Sequence, residues 1–166
     1  MQITFRTASL SDLQEINQLV QDAIDTMNNL QIFQWDERYP DQEILQEDIE
    51  KEELYVGLVD GHIAVIYVLN READLEYDDA KWRFENRPFY VLHRLCVAPS
   101  YQKCGIARKT VLHIEEELRS KGIEAIRLDV FSKNPYALRL YDHLGFTKVG
   151  HADWRKGRFY LMEKYI

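Results

Sequence analysis

One stretch, Phe89 to Lys121, narrows the folds open to this chain more than any other. Phe89–Val97 is apolar on both parities and is interrupted only by His93 and Arg94, the pattern of a central strand covered on both faces. Pro99 ends it. Ala107, Val111, Ile114 and Leu118 then fall on one helical stripe that Gly122 stops, and Ile123–Phe131 is strand-like again. A helix joining two buried strands is a crossover, so the strands are expected side by side and parallel at the heart of an α/β sheet.

The remaining pattern fills in around that centre. Ile3–Thr7 alternates as a first strand, and Ser9 or Ser11 can cap a helix carrying Leu13, Ile16, Leu19, Val20 and Ile24. A second helix is expected over Asp41–Glu52, with Ile44, Leu45 and Ile49 inward. Leu54–Val59 and His62–Leu69 flank Asp60-Gly61, a pair favoured in two-residue hairpins, and a polar interval follows from Asn70 to Pro88. Asn134-Pro135 starts a helix, Gly145-Phe146 stops it, and Thr147–His151 and Phe159–Tyr165 read as closing strands. The order is β, α, α, β, β, β, α, β, α, β, β. No repeat or linker divides it, so residues 1–166 are expected to form a single domain.

Composition enters as exclusion. The longest apolar run, Ile63–Leu69, is too short to span a membrane, and Met1–Leu10 lacks the basic start and apolar stretch of a signal peptide. Two cysteines, Cys96 and Cys104, make no disulfide framework, which points to a reducing cytoplasm. With 28 acidic against 21 basic side chains the net charge of −7 repels nucleic acid and attracts cations. His93, Cys96 and Cys104 have no fourth ligand at a recognisable spacing, so no metal is expected.

The chemistry concentrates in Gln102-Lys103-Cys104-Gly105-Ile106-Ala107, which joins the buried strand to the helix. Backbone N–H groups at a helix start bind phosphate oxygens, Gly105 lets the backbone come close, and Arg108 and Lys109 add positive charge. The alternative is that Gly105 and Ala107 only let the helix pack on the sheet. No Gly-Lys-Ser/Thr follows and no Gly-x-Gly-x-x-Gly is present, which excludes the common nucleotide loops.

At this point the sequence resembles the GCN5-related N-acetyltransferase (GNAT) superfamily, whose acetyl-CoA signature is Arg/Gln-x-x-Gly-x-Gly/Ala after the fourth strand. Gln102, Gly105 and Ala107 match it. So do the element order, Leu95-Cys96-Val97-Ala98-Pro99 ahead of the loop, and Asn134, Ala137, Leu140-Tyr141 and Gly145-Phe146 behind it. The resemblance implies a single-domain α/β fold with a twisted, mostly antiparallel mixed sheet, opened between its parallel fourth and fifth strands for acetyl-CoA. It also implies that the pantetheine arm hydrogen-bonds backbone near Leu95, Cys96 and Val97. The pyrophosphate then falls on the N–H groups of Lys103, Cys104, Gly105, Ile106, Ala107 and Arg108, and Asn134 and Ala137 meet the cofactor arm. Tyr141, seven residues after Asn134, lies on the same helix face. Taken alone, Asn134 is a helix cap and Tyr141 a core aromatic.

His93 precedes Leu95 by two residues, next to where the thioester would sit. A neutral imidazole there can accept a proton, as an alternative to a buried structural histidine. Arg94 reads as an ion-pair or packing residue, and Cys96 as a small buried hydrophobe rather than a nucleophile. Trp35, Tyr39, Asp78, Asp79 and Trp82, on two polar segments, combine carboxylates and aromatics as a cationic amine requires. The expected function is acetyl transfer from acetyl-CoA to a small-molecule or peptide primary amine by direct attack, with His93 as base and Tyr141 as acid. The protein is expected to be a monomer or homodimer. The alternatives are a non-catalytic acyl-CoA-binding or sensory module on the same fold, and a hydrolase using Cys96.

Overall fold

The computed structural model describes all 166 residues. Its strands are β1 (Thr4–Thr7), β2 (Leu54–Val59), β3 (His62–Asn70), β4 (Phe89–Val97), β5 (Ala125–Phe131), β6 (Thr147–Trp154) and β7 (Gly157–Tyr165), in one seven-stranded sheet ordered β1-β2-β3-β4-β5-β7-β6. Its helices are α1 (Leu13–Asn29), α2 (Gln42–Glu50), α3 (Ile106–Ser120) and α4 (Pro135–His143). Every expected element is present and in the expected order. By their internal packing the residues group into two units, Met1–Leu69 with Arg94–Thr110, and Asn70–His93 with Val111–Ile166, so β4 and α3 lend residues to both.

In the first unit β1, β2 and β3 pair antiparallel. The β2–β3 turn has φ of 50° at Asp60 and 81° at Gly61, the two left-handed residues that match the twist of a tight hairpin. Helix α1 buries Ile16, Leu19, Val20, Ala23 and Ile24, and these pack with Leu45 and Ile49 of α2 and Leu54, Val56 and Ile66 of the sheet. Each buried aliphatic side chain contributes about 1.5–3 kcal/mol. The start of α1 differs from expectation: a 3-10 turn at Leu10–Asp12 comes first, and Asp12 accepts from the Ser9 N–H at 2.8 Å and from Arg6 at 2.7 and 3.0 Å. Asp41 caps α2 by accepting from the Ile44 N–H at 2.9 Å.

In the second unit β5 pairs antiparallel with β7, and β7 with β6. The parallel β4–β5 ladder is short. It runs from Phe89–Ala125 to Val91–Arg127, three positions, after which the register ends although both strands continue. Asn134 caps α4 through its side chain, and the Phe146 N–H closes the helix on the Tyr141 carbonyl at 3.0 Å. Strands β6 and β7 extend further toward each other than expected, because their alternation continues through Trp154 and from Gly157.

The interval Asn70–Pro88, expected as a polar loop, contains a 3-10 turn at Leu75–Asp79 whose Tyr77 is buried with Val91, Ala152 and Leu161. The Lys81 N–H bonds the Val149 carbonyl at 3.0 Å, where β6 bulges against β7. The segment thus covers part of an edge strand that would otherwise stand unpaired.

Candidate active site

In the first unit the loop after β4 begins with a turn at Pro99–Tyr101. The Gln102 side-chain amide donates to the Val97 carbonyl at 3.2 Å, tying the loop back to its strand. Lys103 and Gly105 both adopt left-handed backbone, φ 61° and 75°. The first helical hydrogen bond of α3 runs from the Lys109 N–H to the Gly105 carbonyl at 3.0 Å, so the amides of Ile106, Ala107 and Arg108 precede the helical ladder. Ile106 is buried against Val59, Ala64 and Val65, whereas Gln102, Lys103, Cys104, Gly105 and Arg108 are exposed. One apolar anchor therefore pins an exposed loop. A Cβ at Gly105 would meet no protein atom within 4 Å, so the demand for glycine comes from its φ.

Leu95 and Val97 pack with the Ile106 cluster, and Cys96 packs in the α1 core. Burial pushes the Cys96 thiol up to about 12, which removes the thiolate a nucleophile needs. Cys104 is exposed, and its Sγ donates to the Gln102 carbonyl at 3.4 Å. Arg94 interrupts β4 with φ 51° and is held there by polar contacts. Its Nε and Nη2 donate to both oxygens of Asp48, at 2.9 and 2.7 Å, and its Nη1 donates to the Tyr39 hydroxyl at 2.7 Å. It is the ion-pair residue that its place in the sequence suggests.

In the second unit the His93 tautomer is fixed by its surroundings. The Asn70 Oδ1 accepts the Glu72 N–H at 3.0 Å, which identifies that atom as oxygen, and it also lies 2.8 Å from His93 Nε2. The Glu72 carbonyl lies 3.0 Å from the same nitrogen. Facing two acceptors, Nε2 must carry the proton and donate, so in the neutral ring the basic lone pair belongs to Nδ1.

Tyr141 is buried on α4, edge-on to Phe146 with ring centroids 5.4 Å apart. Burial first, and the negative charge of Asp129 second, push its phenol above the usual tyrosine range, so the hydroxyl keeps its proton throughout the neutral range. The Asn134 Oδ1 accepts the Ala137 N–H at 3.1 Å, which realises the cap expected of it. Ala137 lies half-buried one turn into α4.

Asp129 has no role in the reaction expected from the sequence. It is the one residue of β5 that is not buried, and its Oδ2 accepts from the Tyr77 hydroxyl at 2.8 Å. Its place is two residues past Arg127, just as His93 is two past Val91, so both sit directly beyond the end of the parallel ladder. The signal was available: a lone carboxylate inside Ile126-Arg127-Leu128-Asp129-Val130-Phe131.

The residues expected on the acceptor side differ in their surroundings. Trp35 is a core residue at 8% exposure, packed with the α1 cluster. Trp82 is half-buried and its ring carries the Arg127 guanidinium, 4.3 Å from its centroid and 3.8 Å from that of Phe89. Tyr39 is exposed but engaged by Arg94. Asp78 and Asp79 are exposed on the 3-10 turn.

The sheet is mixed, with one short parallel pair, and a glycine loop after the first strand of that pair opens α3, which makes this an α/β protein. The acetyltransferase (GNAT) family matches residues 16–146, and the chain belongs to that family. The ribosomal protein bS18-alanine N-acetyltransferase of Escherichia coli is 35% identical over 58 residues, which is 35% of this chain and 39% of that protein. The chain thus matches about two fifths of the length of that curated relative. A GNAT-family acetyltransferase of Streptococcus agalactiae superposes with a TM-score of 0.85 at 20% identity, over 99% of this chain and 95% of that one. A PaiA N-acetyltransferase of Thermoplasma acidophilum, solved with coenzyme A, gives 0.74 at 21% identity over the full length of both.

Proposed function

We propose that this acetyltransferase transfers an acetyl group from acetyl-CoA to a primary amine by direct attack, in a complex holding both substrates. The observation that carries the reading is the loop Gln102–Ala107, which keeps the family signature, is largely exposed, and leads into amides that precede the α3 ladder. Gln102, Lys103, Cys104, Gly105, Ile106, Ala107 and Arg108 are assigned to the pyrophosphate, Leu95, Cys96 and Val97 to the pantetheine arm through their backbone, and Asn134 and Ala137 to the same arm.

In the reaction the amine nitrogen forms the C–N bond to the thioester carbonyl, the C–S bond breaks, and Tyr141 gives its proton to the departing sulfur. A phenolate is disfavoured where Tyr141 lies, so proton delivery and recovery of the proton shed by nitrogen are coupled. Asp129 receives the acceptor's ammonium and passes the first of its two protons to water before attack, and the second, shed once the C–N bond forms, restores the Tyr141 hydroxyl. The His93 ring, whose Nε2 donates to Asn70 and Glu72, contributes only through Nδ1 and chiefly fixes the start of the Asn70–Pro88 segment. The acceptor class includes small amines and peptide termini, the latter because the Escherichia coli relative is named for a protein alanine.

A thiol-release screen over arylalkylamines, polyamines, amino acids and N-terminal peptides tests the reading. Thiol release that requires an amine and is lost in Tyr141→Phe supports it. Acetyl-CoA binding by calorimetry without release for any amine indicates the non-catalytic module instead.

A further inference from the structure

We infer that Tyr77 is a positioning residue of the reaction, which fixes the Asp129 carboxylate and keeps it ionised. This rests on the reading of Asp129 as the group that receives the ammonium, and it gives a role to a segment that the sequence shows only as a polar interval. The Tyr77 hydroxyl donates to Asp129 Oδ2 at 2.8 Å. A hydroxyl donor favours the charged form of a carboxylate, and a bond to one oxygen restrains the group from turning about its Cβ–Cγ bond.

The 3-10 turn Leu75–Asp79 would by itself be a poor place for a rigid donor. Leu75 is 85% exposed, and Asp78 and Asp79 are exposed, whereas Tyr77 is buried. Its ring packs with Val91, Ala152 and Leu161 and lies 5.5 Å from the Trp82 ring. Its carbonyl accepts from Trp82 Nε1 at 2.7 Å, and its N–H donates to the Asp74 carbonyl at 3.0 Å. The chain is also tied on either side of the turn. Asn70 and Glu72 bond His93, the Lys81 N–H bonds the Val149 carbonyl, and the Arg83 N–H donates to the buried Glu163 carboxylate at 2.6 Å. Core packing accounts for an aromatic ring at this place, which phenylalanine would fill equally well. The hydroxyl is accounted for by its one printed target, the only residue of β5 that is not buried. Tyr77 therefore acts through Asp129 and takes no proton itself.

The other charged or titratable groups around the pair are Asp78 and Asp79 on the turn, Glu85 in the same segment, Arg127 on β5 with Glu163 opposite it on β7, His93 on β4 and Tyr141 on α4. All of them remain in Tyr77→Phe, which removes the hydroxyl and keeps the ring. In protein labelled with carboxyl-13C aspartate, the Asp129 signal is assigned by its loss in Asp129→Asn. Its titration midpoint is expected to rise by about one pH unit in Tyr77→Phe. With the amine of highest kcat/KM in the thiol-release screen, Tyr77→Phe should lower kcat/KM roughly fivefold or more, with the KM for acetyl-CoA unchanged. Added to Asp129→Asn, the same substitution should change kcat/KM by less than about twofold, because the group it serves is already gone. An unshifted Asp129 midpoint, or an equal loss from Tyr77→Phe with and without the Asp129 carboxylate, overturns the inference while leaving Asp129 in its role. An unchanged kcat/KM in Asp129→Asn overturns the reading of Asp129 and the inference with it. Thiol release with no amine overturns both together with the catalytic reading.

Discussion

At the scale of single residues, the surroundings of three ionisable groups decide what each can do. Cys96 and Tyr141 are both buried acids held in their protonated forms, yet only one of them suits proton transfer. A thiol pushed up to about 12 is inert as a nucleophile, whereas a phenol that keeps its proton at neutral pH can still donate it once charge develops on sulfur. Tyr141→Phe removes only the hydroxyl, and kcat is expected to fall by roughly 10²–10⁴ with acetyl-CoA affinity unchanged, as single-turnover kinetics and calorimetry would show. Arg127 illustrates the opposite case. Its Nε is buried with no hydrogen-bond partner, yet its guanidinium stacks on the rings of Trp82 and Phe89 and is favoured by the charges of Glu163, buried directly across the β5–β7 ladder, and Glu85. Removing one partner of a buried charge pair leaves the other uncompensated and commonly costs about 3–5 kcal/mol. Arg127→Met should therefore lower the urea midpoint, and an unchanged midpoint would show that the desolvation cost of the guanidinium outweighs its contacts with Glu163 and the two rings.

At the scale of elements, Asn134 tests how a cap and a ligand contact can be separated. Asn134→Ala removes the acceptor for the Ala137 N–H and should cost about 1 kcal/mol. Asn134→Asp keeps that acceptor but loses the amide donors, so thermal stability should stay near the starting value while the KM for acetyl-CoA rises if the side chain meets the cofactor arm. Equal KM in both proteins would leave Asn134 a cap alone. The helix and strand order was legible because each element announces itself by local rules: Asp60-Gly61 for the hairpin, Asn134-Pro135 for a helix start, and Phe89–Val97 for a strand buried on both sides. The 3-10 turn at Leu75–Asp79 was not legible, because Tyr77 is its one buried residue and its order comes from distant partners, Asp129 and the β6 edge. The same limit applies to the surroundings of Trp35 and Trp82. Aromatics on polar segments suggest binding surfaces, yet whether a ring faces solvent depends on what the fold brings against it, here the α1 core and Arg127. Asp129 escaped for a related reason, since a carboxylate in an apolar strand gains its meaning only when the ladder beside it is seen to end at Arg127.

At the scale of the whole molecule, stability should depend on pH at both ends of the range. Asp12, hydrogen-bonded by Arg6, has its carboxyl held down to about 2, so its contribution is present above the unfolded value near 4 and is lost as pH falls through about 2. Arg6 is exposed and Asp12 half-buried, so solvent screens the pair and the effect is correspondingly small. The alkaline side carries more weight, because Cys96 and Tyr141 are buried. Each is raised above its unfolded value, so the stabilisation is complete below that value and disappears as pH climbs toward the folded one. Above about pH 9 the unfolded chain has released the Cys96 proton while the native chain still holds it, and stability then declines by about 1.4 kcal/mol per pH unit. Tyr141 adds a second, equal slope above about pH 10. Urea midpoints are accordingly expected to be flat from pH 7 to 8.5, to fall from pH 9, and to fall more steeply beyond pH 10. Cys96→Ala should flatten the segment between pH 9 and 10 despite its lower starting stability, and Tyr141→Phe should remove the steepening beyond pH 10. A midpoint that stays level to pH 10.5 would mean that water reaches both groups in the native protein, and it would remove the basis for treating Tyr141 as a proton donor held in reserve.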